Sequence, residues 1–509
     1  MGIAVLLCII TLGCIRRIAV SSKHDTPRHG SGISGTRCSD IPVPYEYWVL
    51  DSRETAAFVD IANTNAIAVG GTVCVRVVIP AKESMVPAAF TPLPMEPWDS
   101  VLLDLVGNST GISVPVDLKP VTGPHSLYRD TAHVYEADVR LRDVDVFKPE
   151  GYIEFRHARW NPDGVLDPQP FEPEMLEIPQ RLQIQVTGDP ILGFEQYMNL
   201  PLCTSASAEG RWVSVRDIPA NVAVLLMPPD NQNRVWMPYD CRLRSYAYRD
   251  FAQCLVDKYP VLHWFGDSNT RRALKKVTSL GEWCNTAKDR ASHLCICNDN
   301  TEQYARYNSN ARIAPIDIDP VHGGVAASSI DSPVPNNRSR IVAFKWDGLT
   351  DRNQPAWADP FDRADGLFTK PLPAAVIIGV INWDTAFSTR SFFANEVNRL
   401  IQKVRSTYPP STLIIIRTGQ YYCCTSDMNK FWKRRYSRLR NRHYNRYIVE
   451  QFTQLLPPTY RFLVWDVSSM AEKRPYAARH AEINFCPANH VPSEIVDIEN
   501  QILINAMCN

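Results

Sequence analysis

The chain has 509 residues, 45% of them hydrophobic and 21% charged, which is an ordinary globular composition on a chain too long for one typical domain. Two folded domains are expected. Lys plus Arg and Asp plus Glu number 54 each, so net charge selects no class of partner and any electrostatic preference must come from local patches.

The chain opens with an apolar run, Ile3 to Ile15, followed by Arg16 and Arg17. A spanning helix needs roughly 20 apolar residues, so this run is short for one but long enough for the core of a secretory signal. No Lys or Arg precedes it and a basic pair follows, so residues 1–20 read as a signal peptide, with an uncleaved single-pass type II anchor as the open alternative. No other stretch is apolar enough to span, and membrane contact is expected only there. The expected location is the secretory pathway, either secreted or in the Golgi or ER lumen. Residues 21–40, rich in Ser, Gly, His and Arg, read as a flexible stem.

Two of the 14 cysteines, Cys8 and Cys14, lie in the apolar run. The even number left behind a secretory start favours disulfides over free thiols. No metal is expected, because Cys295-Ile296-Cys297 has no second pair at zinc-finger spacing. Asn108-Ser109-Thr110 and Asn337-Arg338-Ser339 are glycosylation acceptors in such a compartment.

Residues 41–188 carry short β-rich runs: 72–79, 100–106, 112–118, 133–141, 152–160 and 181–187. Their separation by Pro, Gly, Asp and Asn predicts an antiparallel β-sandwich. Residues 189–237, punctuated by Pro190, Pro201, Pro219, Pro228 and Pro229, read as a linker. From 238 to 509 strand-like runs at 261–265, 341–346, 374–381, 412–417 and 460–466 alternate with helical stretches such as 391–406. That alternation predicts a parallel sheet covered by helices, an α/β domain. The polar stretch 285–340 reads as an insertion near the site.

Within the α/β part, Val261-Leu262-His263-Trp264-Phe265 stops at Gly266-Asp267-Ser268 and continues as a basic segment of helical spacing. In a strand, turn and helix of this kind, Gly266 permits the sharp turn and Asp267 accepts N–H bonds that hold it. Ser268 then sits at the strand's C-terminal end, beside free N–H groups and the positive end of a helix. As an N-cap alone, Ser268 would do no chemistry. The segment 430–447 holds eight Lys or Arg and no acid. Its Trp432, Tyr436, Leu439, His443 and Tyr447 fall at helical spacing, so they read as the buried face of a helix, and nucleic acid is not an expected partner.

Gly266-Asp267-Ser268, preceded by Cys241 and Cys254 and followed far downstream by Cys486-Pro487-Ala488-Asn489-His490 and Cys508, resembles the PC-esterase branch of the GDSL/SGNH hydrolase superfamily. The nearest resemblance is to the neurexophilin and PC-esterase domain family, and trichome-birefringence-like glycan O-acetyltransferases are more distantly similar. The resemblance covers residues 238–509. The N-terminal module resembles that family's Ig-like or filamin-like domain, and Cys241, Cys254, Cys486 and Cys508 become disulfide candidates.

The resemblance implies Ser268 as nucleophile, His490 as general base, and an oxyanion hole from the Ser268 N–H and Asn382. It also implies a substrate-binding role for Arg271 or Arg272. The family's histidine belongs to an Asp-x-x-His motif, and here Pro487 stands in place of the acid. Three readings stay open: a Ser268–His490 dyad, a carboxylate supplied by Asp466 or Glu482, or an inactive site. The function implied is acyl, in particular acetyl, transfer to or removal from carbohydrate hydroxyls through an acyl-serine, with no bound cofactor and an unspecified acyl donor. The alternative is an inactive secreted glycan-binding or adhesion protein of the same fold.

Overall fold

The computed structural model describes residues 35–50, 55–62, 66–80, 98–121, 132–156, 173–189, 194–223, 225–285, 313–346, 348–349, 372–421, 437–475 and 490–509. The expected signal or anchor, Cys295, Cys297, Cys423, Cys424, Glu482, Cys486 and Pro487 lie outside them.

Two sheets face each other in the N-terminal part. One runs in the order 58–62, 72–79, 133–140 and 119–120, antiparallel throughout. The other runs 67–68, 184–187, 146–155, 100–107 and 113–115. The expected antiparallel pattern is broken at one edge, where Ile67–Ala68 pairs parallel to Ile184–Thr187. Val73, Val75 and Val77 of the first sheet share one apolar core with Leu103, Leu105, Phe147 and Ile153 of the second, each full burial contributing roughly 1.5–3 kcal/mol. The strand expected over 152–160 starts instead at Val146 and ends at Phe155. Pro149 and Gly151 hid its first half. Gly151 is required by close packing, since a Cβ there would stand 2.3 Å from the Leu102 carbonyl oxygen.

Two expected boundaries move. The end of the presumed stem is pinned to the sandwich: Cys38 is disulfide-bonded to Cys74, and the buried Arg76 donates to the carbonyls of Cys38 and Ile41. The presumed linker packs as core. Strands Gly210–Ser214 and Arg234–Pro238 form a hairpin, and Trp212, Trp236 and Met237 are buried in the C-terminal core. Trp212 Nε1 donates to the Met470 carbonyl at 2.8 Å. The prolines that suggested a linker punctuate this segment without unfolding it, because large apolar residues lie between them.

The C-terminal part is built on a seven-stranded sheet in the order 323–326, 313–319, 339–345, 261–266, 375–379, 413–417 and 461–465. The last five strands are parallel. The first two are antiparallel and come from the stretch expected to be an insertion, so residues 313–340 extend the sheet. In the central strand side chains alternate: Leu262 and Trp264 join the core beneath the helices Tyr248–Lys258, Ser268–Thr278 and Ser493–Cys508. Phe265 joins the opposite core with Phe344, beneath the helices Arg390–Thr407 and Arg438–Leu455. This period of two sets helices on both faces.

The two parts meet through buried charge. Arg438 donates through its guanidinium to Asp104 at 2.6 Å and through its backbone to Glu154 at 2.9 Å. At the surface Arg142 also pairs with the exposed Asp240 at 2.7 Å. A second disulfide joins Cys203 to Cys241, and a third ties Cys254 to Cys508 across 254 residues. The pairing of Cys241 and Cys254 is therefore with Cys203 and Cys508. Disulfides fit an oxidising compartment. No helix among the described residues is long and apolar enough to cross a membrane. Asn108 and Asn337 are both exposed, as glycosylation acceptors require.

Replacing both Cys254 and Cys508 with serine should lower stability by about 2–5 kcal/mol, read as a fall in thermal midpoint, because the bond closes a very long loop. A pH effect is also expected from His263, which is enclosed by Phe265, Phe344 and Tyr408. Burial lowers its pKa to about 3. A histidine depressed in the fold contributes its full stability above its unfolded pKa of about 6.5, and loses it as pH falls toward 3, at up to about 1.4 kcal/mol per unit. Denaturant midpoints between pH 7 and 4 should fall less steeply in His263→Phe than in the parent.

Candidate active site

The Val261–Gly266 strand ends at Asp267, the N-cap of the Ser268–Thr278 helix. Asp267 is wholly buried, and its Oδ1 accepts from the backbone N–H groups of Asn269 at 2.9 Å and Thr270 at 3.1 Å. Its own N–H donates to the Gly379 carbonyl at 3.3 Å. These bonds set Ser268 as the first residue of the helix, half-buried, where the N–H groups lack helical partners. Gly266 serves by leaving space: a Cβ there would meet Thr270 Cβ at 2.3 Å, and one at Gly379 would meet Thr270 Oγ1 at 2.3 Å. Both glycines let Thr270 nest between neighbouring strands, and its hydroxyl donates to the Gly379 carbonyl at 2.9 Å.

Asn382 follows the next parallel strand, in the first turn of the Ile381–Phe387 helix. Its Nδ2 donates to Asp267 Oδ2 at 3.0 Å, and its Oδ1 accepts from the Gln420 N–H at 2.7 Å. Asn382 is thus hydrogen-bonded to the residue immediately before Ser268. Nδ2 carries a second hydrogen beyond the one given to Asp267.

His490 comes from 222 residues further along the chain, and its Nε2 lies 3.0 Å from Ser268 Oγ. This is the separation at which an imidazole can exchange a proton with a serine hydroxyl. The loop is fixed one residue later, where Arg272 Nη1 donates to the Val491 carbonyl at 2.8 Å. Arg272 is 2% exposed and packs over the Trp283 ring. The expected substrate contact from Arg272 is thus replaced by a structural one inside the protein. Arg271 is half-buried.

Behind the pair lies Glu499, on the C-terminal helix and fully enclosed. It accepts from Arg417 Nη2 at 2.8 Å and from Gln420 Nε2 at 2.5 Å. Burial pushes its carboxyl above the ordinary range, against the pull of Arg417, Gln420 and Arg272. Gln420 thus joins Asn382 to Glu499, and Arg272 joins the histidine loop to the same charge. Sequence reading missed Arg417, Gln420 and Glu499. A signal was present in the run Glu499-Asn500-Gln501, three consecutive polar residues flanked by apolar Ile498 and Ile502 in the terminal helix.

Of the expected carboxylates, Asp466 serves elsewhere. It caps the Val467–Glu472 helix by accepting from Ser469 N at 3.0 Å and Ser469 Oγ at 2.5 Å, and it also accepts from Thr418 Oγ1 at 3.1 Å. It makes no hydrogen bond to His490. Glu482 lies outside the described residues. Comparison of the chain with protein-family models, with curated proteins and with solved structures finds no match.

Arg417 and Glu499 are both fully buried. Arg417→Met should therefore cost about 3–5 kcal/mol in denaturant unfolding, because it leaves a carboxylate enclosed without its cation.

Proposed function

We propose that the chain is a serine-dependent acyl-transfer enzyme, a carbohydrate O-acyltransferase or esterase, in which Ser268 carries the acyl group and His490 moves the proton. On this reading the C-terminal part is an SGNH-type α/β domain and the N-terminal part an Ig- or filamin-like sandwich. The observation that carries the reading is the 3.0 Å approach of His490 Nε2 to Ser268 Oγ at the carboxyl end of a parallel strand.

In the first half-reaction, Ser268 Oγ attacks the carbonyl carbon of the donor ester while its proton passes to His490 Nε2. The carbonyl electrons move to the oxyanion, which the Ser268 N–H and Asn382 Nδ2 stabilise. Collapse breaks the bond to the leaving alcohol, which takes the proton from Nε2 and leaves an acyl-serine. In the second half-reaction a hydroxyl gives its proton to Nε2 and attacks the acyl carbon, and Ser268 recovers its proton as it leaves. Water as acceptor makes an esterase, and a sugar hydroxyl makes a transferase. The acyl group is assigned as acetyl and the acceptor as a carbohydrate from the family resemblance. No cofactor takes part in these steps, and the acyl donor is left unspecified.

A second reading is an inactive secreted glycan-binding or adhesion protein of the same fold, favoured by Pro487 at the position where the family carries its acid. Hydrolysis of an aryl acetate and labelling by a fluorophosphonate separate the two. If the first reading holds, Ser268→Ala and His490→Ala each lower kcat/KM by at least roughly 10³-fold, and the probe attaches at Ser268. Asn382→Ala should lower kcat by roughly 10²–10³-fold. Equal activity in the parent and in both folded variants, with no labelling, would establish the second reading.

A further inference from the structure

A cavity of about 430 Å³ opens between the sandwich and the carboxyl edge of the large sheet. Both parts wall it. Pro115 and Asp117 come from the sandwich, Arg442, Asn445 and Arg446 from the Arg438–Leu455 helix, and Thr418 and Asp466 from the ends of the last two parallel strands. In open sheets of this kind ligands settle outside the carboxyl ends of the strands. Successive strands lie about 4.8 Å apart, so Thr418, two strands from Ser268, is roughly 10 Å away across the sheet.

The lining specifies the ligand's chemistry. Three cations, Arg442, Arg446 and Lys473, face three carboxylates, Asp117, Asp466 and Glu472. Several pair across the opening: Arg446 with Asp117 at 3.0 Å, and Arg442 with Asp117 at 3.1 Å and with Glu472 at 2.7 Å. Ser207, Thr418, Ser468 and Ser469 add hydroxyls, while Pro115, Val449, Val464 and the hydrocarbon stems of the long charged side chains supply apolar surface. A polyanion would meet three carboxylates, and an acyl chain would bury ion pairs against hydrocarbon. A neutral ligand rich in hydroxyls satisfies both signs, since each hydroxyl donates to a carboxylate and accepts from a guanidinium.

The cavity is also joined to the candidate active site. Asn445 brackets Gly419, accepting from its N–H at 2.7 Å and donating to its carbonyl at 3.2 Å. The next residue, Gln420, is the one whose N–H holds Asn382.

We propose that this cavity is a glycan subsite for neutral, hydroxyl-rich sugar, and that the sandwich contributes to it through Asp117. Calling the sugar an acceptor rests on the acyl-transfer reading; the binding itself does not.

The test uses the full chain carrying Ser268→Ala, so that binding is measured without turnover. Titration calorimetry is run with neutral trisaccharides built on glucose, galactose, mannose and N-acetylglucosamine, beside a sulfated tetrasaccharide. At least one neutral sugar is expected to bind, and to bind about tenfold or more weakly after Asp117→Ala or Arg446→Ala. The Arg446–Asp117 pair is about half exposed, so Arg446→Ala should keep the parent's thermal midpoint, while Asp117→Ala also loses the less exposed pair with Arg442 and is compared only as a folded variant. Hydrogen exchange of residues 418–421 should slow when the sugar is bound. The proposal is overturned if no neutral trisaccharide binds, if the sulfated sugar binds more tightly, or if both folded variants bind as the parent does. Protection confined to other segments would also overturn it. Sugar binding in a parent that shows neither Ser268-dependent ester hydrolysis nor Ser268-dependent acyl transfer to the bound sugar would sink the acyl-transfer reading and leave the subsite standing.

Discussion

One buried carboxylate, that of Asp267, organises the candidate site. Its Oδ1 receives the first N–H groups of the Ser268 helix, and its Oδ2 receives Asn382. A carboxylate enclosed in a protein is tolerated only where donors replace its lost water. Here those donors are the groups that position the serine and its neighbouring amide, so satisfying the charge and building the site are the same event.

A second buried charge does similar work at one remove. Glu499 holds Gln420 directly and lies in the field of Arg272, so the loop behind Asn382 and the loop carrying His490 are referred to one point. Hydrogen bonds to charged groups contribute about 1.5–3 kcal/mol each, more than the usual neutral bond. That excess suits a pair of loops that must hold a serine and a histidine in register. The sandwich joins this framework through Glu154, which accepts from the Tyr421 hydroxyl at 3.5 Å, one residue beyond Gln420, and from the Arg438 N–H.

Strands were legible where an unbroken apolar run marked a strand buried on both faces, and helices where apolar residues recurred at helical spacing. The strands expected at 261–265 and 412–417 lie at 261–266 and 413–417, and the helix expected at 391–406 runs over 390–407. Reading failed where a local signal competed with packing. Prolines made 189–237 look like a linker, although Trp212 and Trp236 between them belong to the core. Polar residues made 285–340 look like an insertion, although Ile316 and Ile318 face a sheet partner. In the candidate site, Ser268, Asn382 and His490 were singled out by a turn motif and by a resemblance, and the fold brings Ser268 to 3.0 Å from His490 and bonds Asn382 to Asp267. Arg272 was offered beside Arg271 as a substrate contact because a sequence shows its charge and not its burial. Glu499 and Gln420 were missed because their role depends on a contact 79 residues apart.

A longer separation, that between Ser268 and His490, shapes how the protein is made. Strand, turn and serine emerge from the ribosome 222 residues before the histidine that completes the pair, and at roughly 5–20 residues per second that interval is roughly 10–45 seconds. Throughout it the chain carries Ser268 without the histidine that stands 3.0 Å from it in the fold. The helix that follows the histidine is then clamped by the Cys254–Cys508 bond, so oxidation closes the assembly only after His490 has arrived. The Ser268–His490 pair therefore exists only once folding has brought the two halves of the chain together.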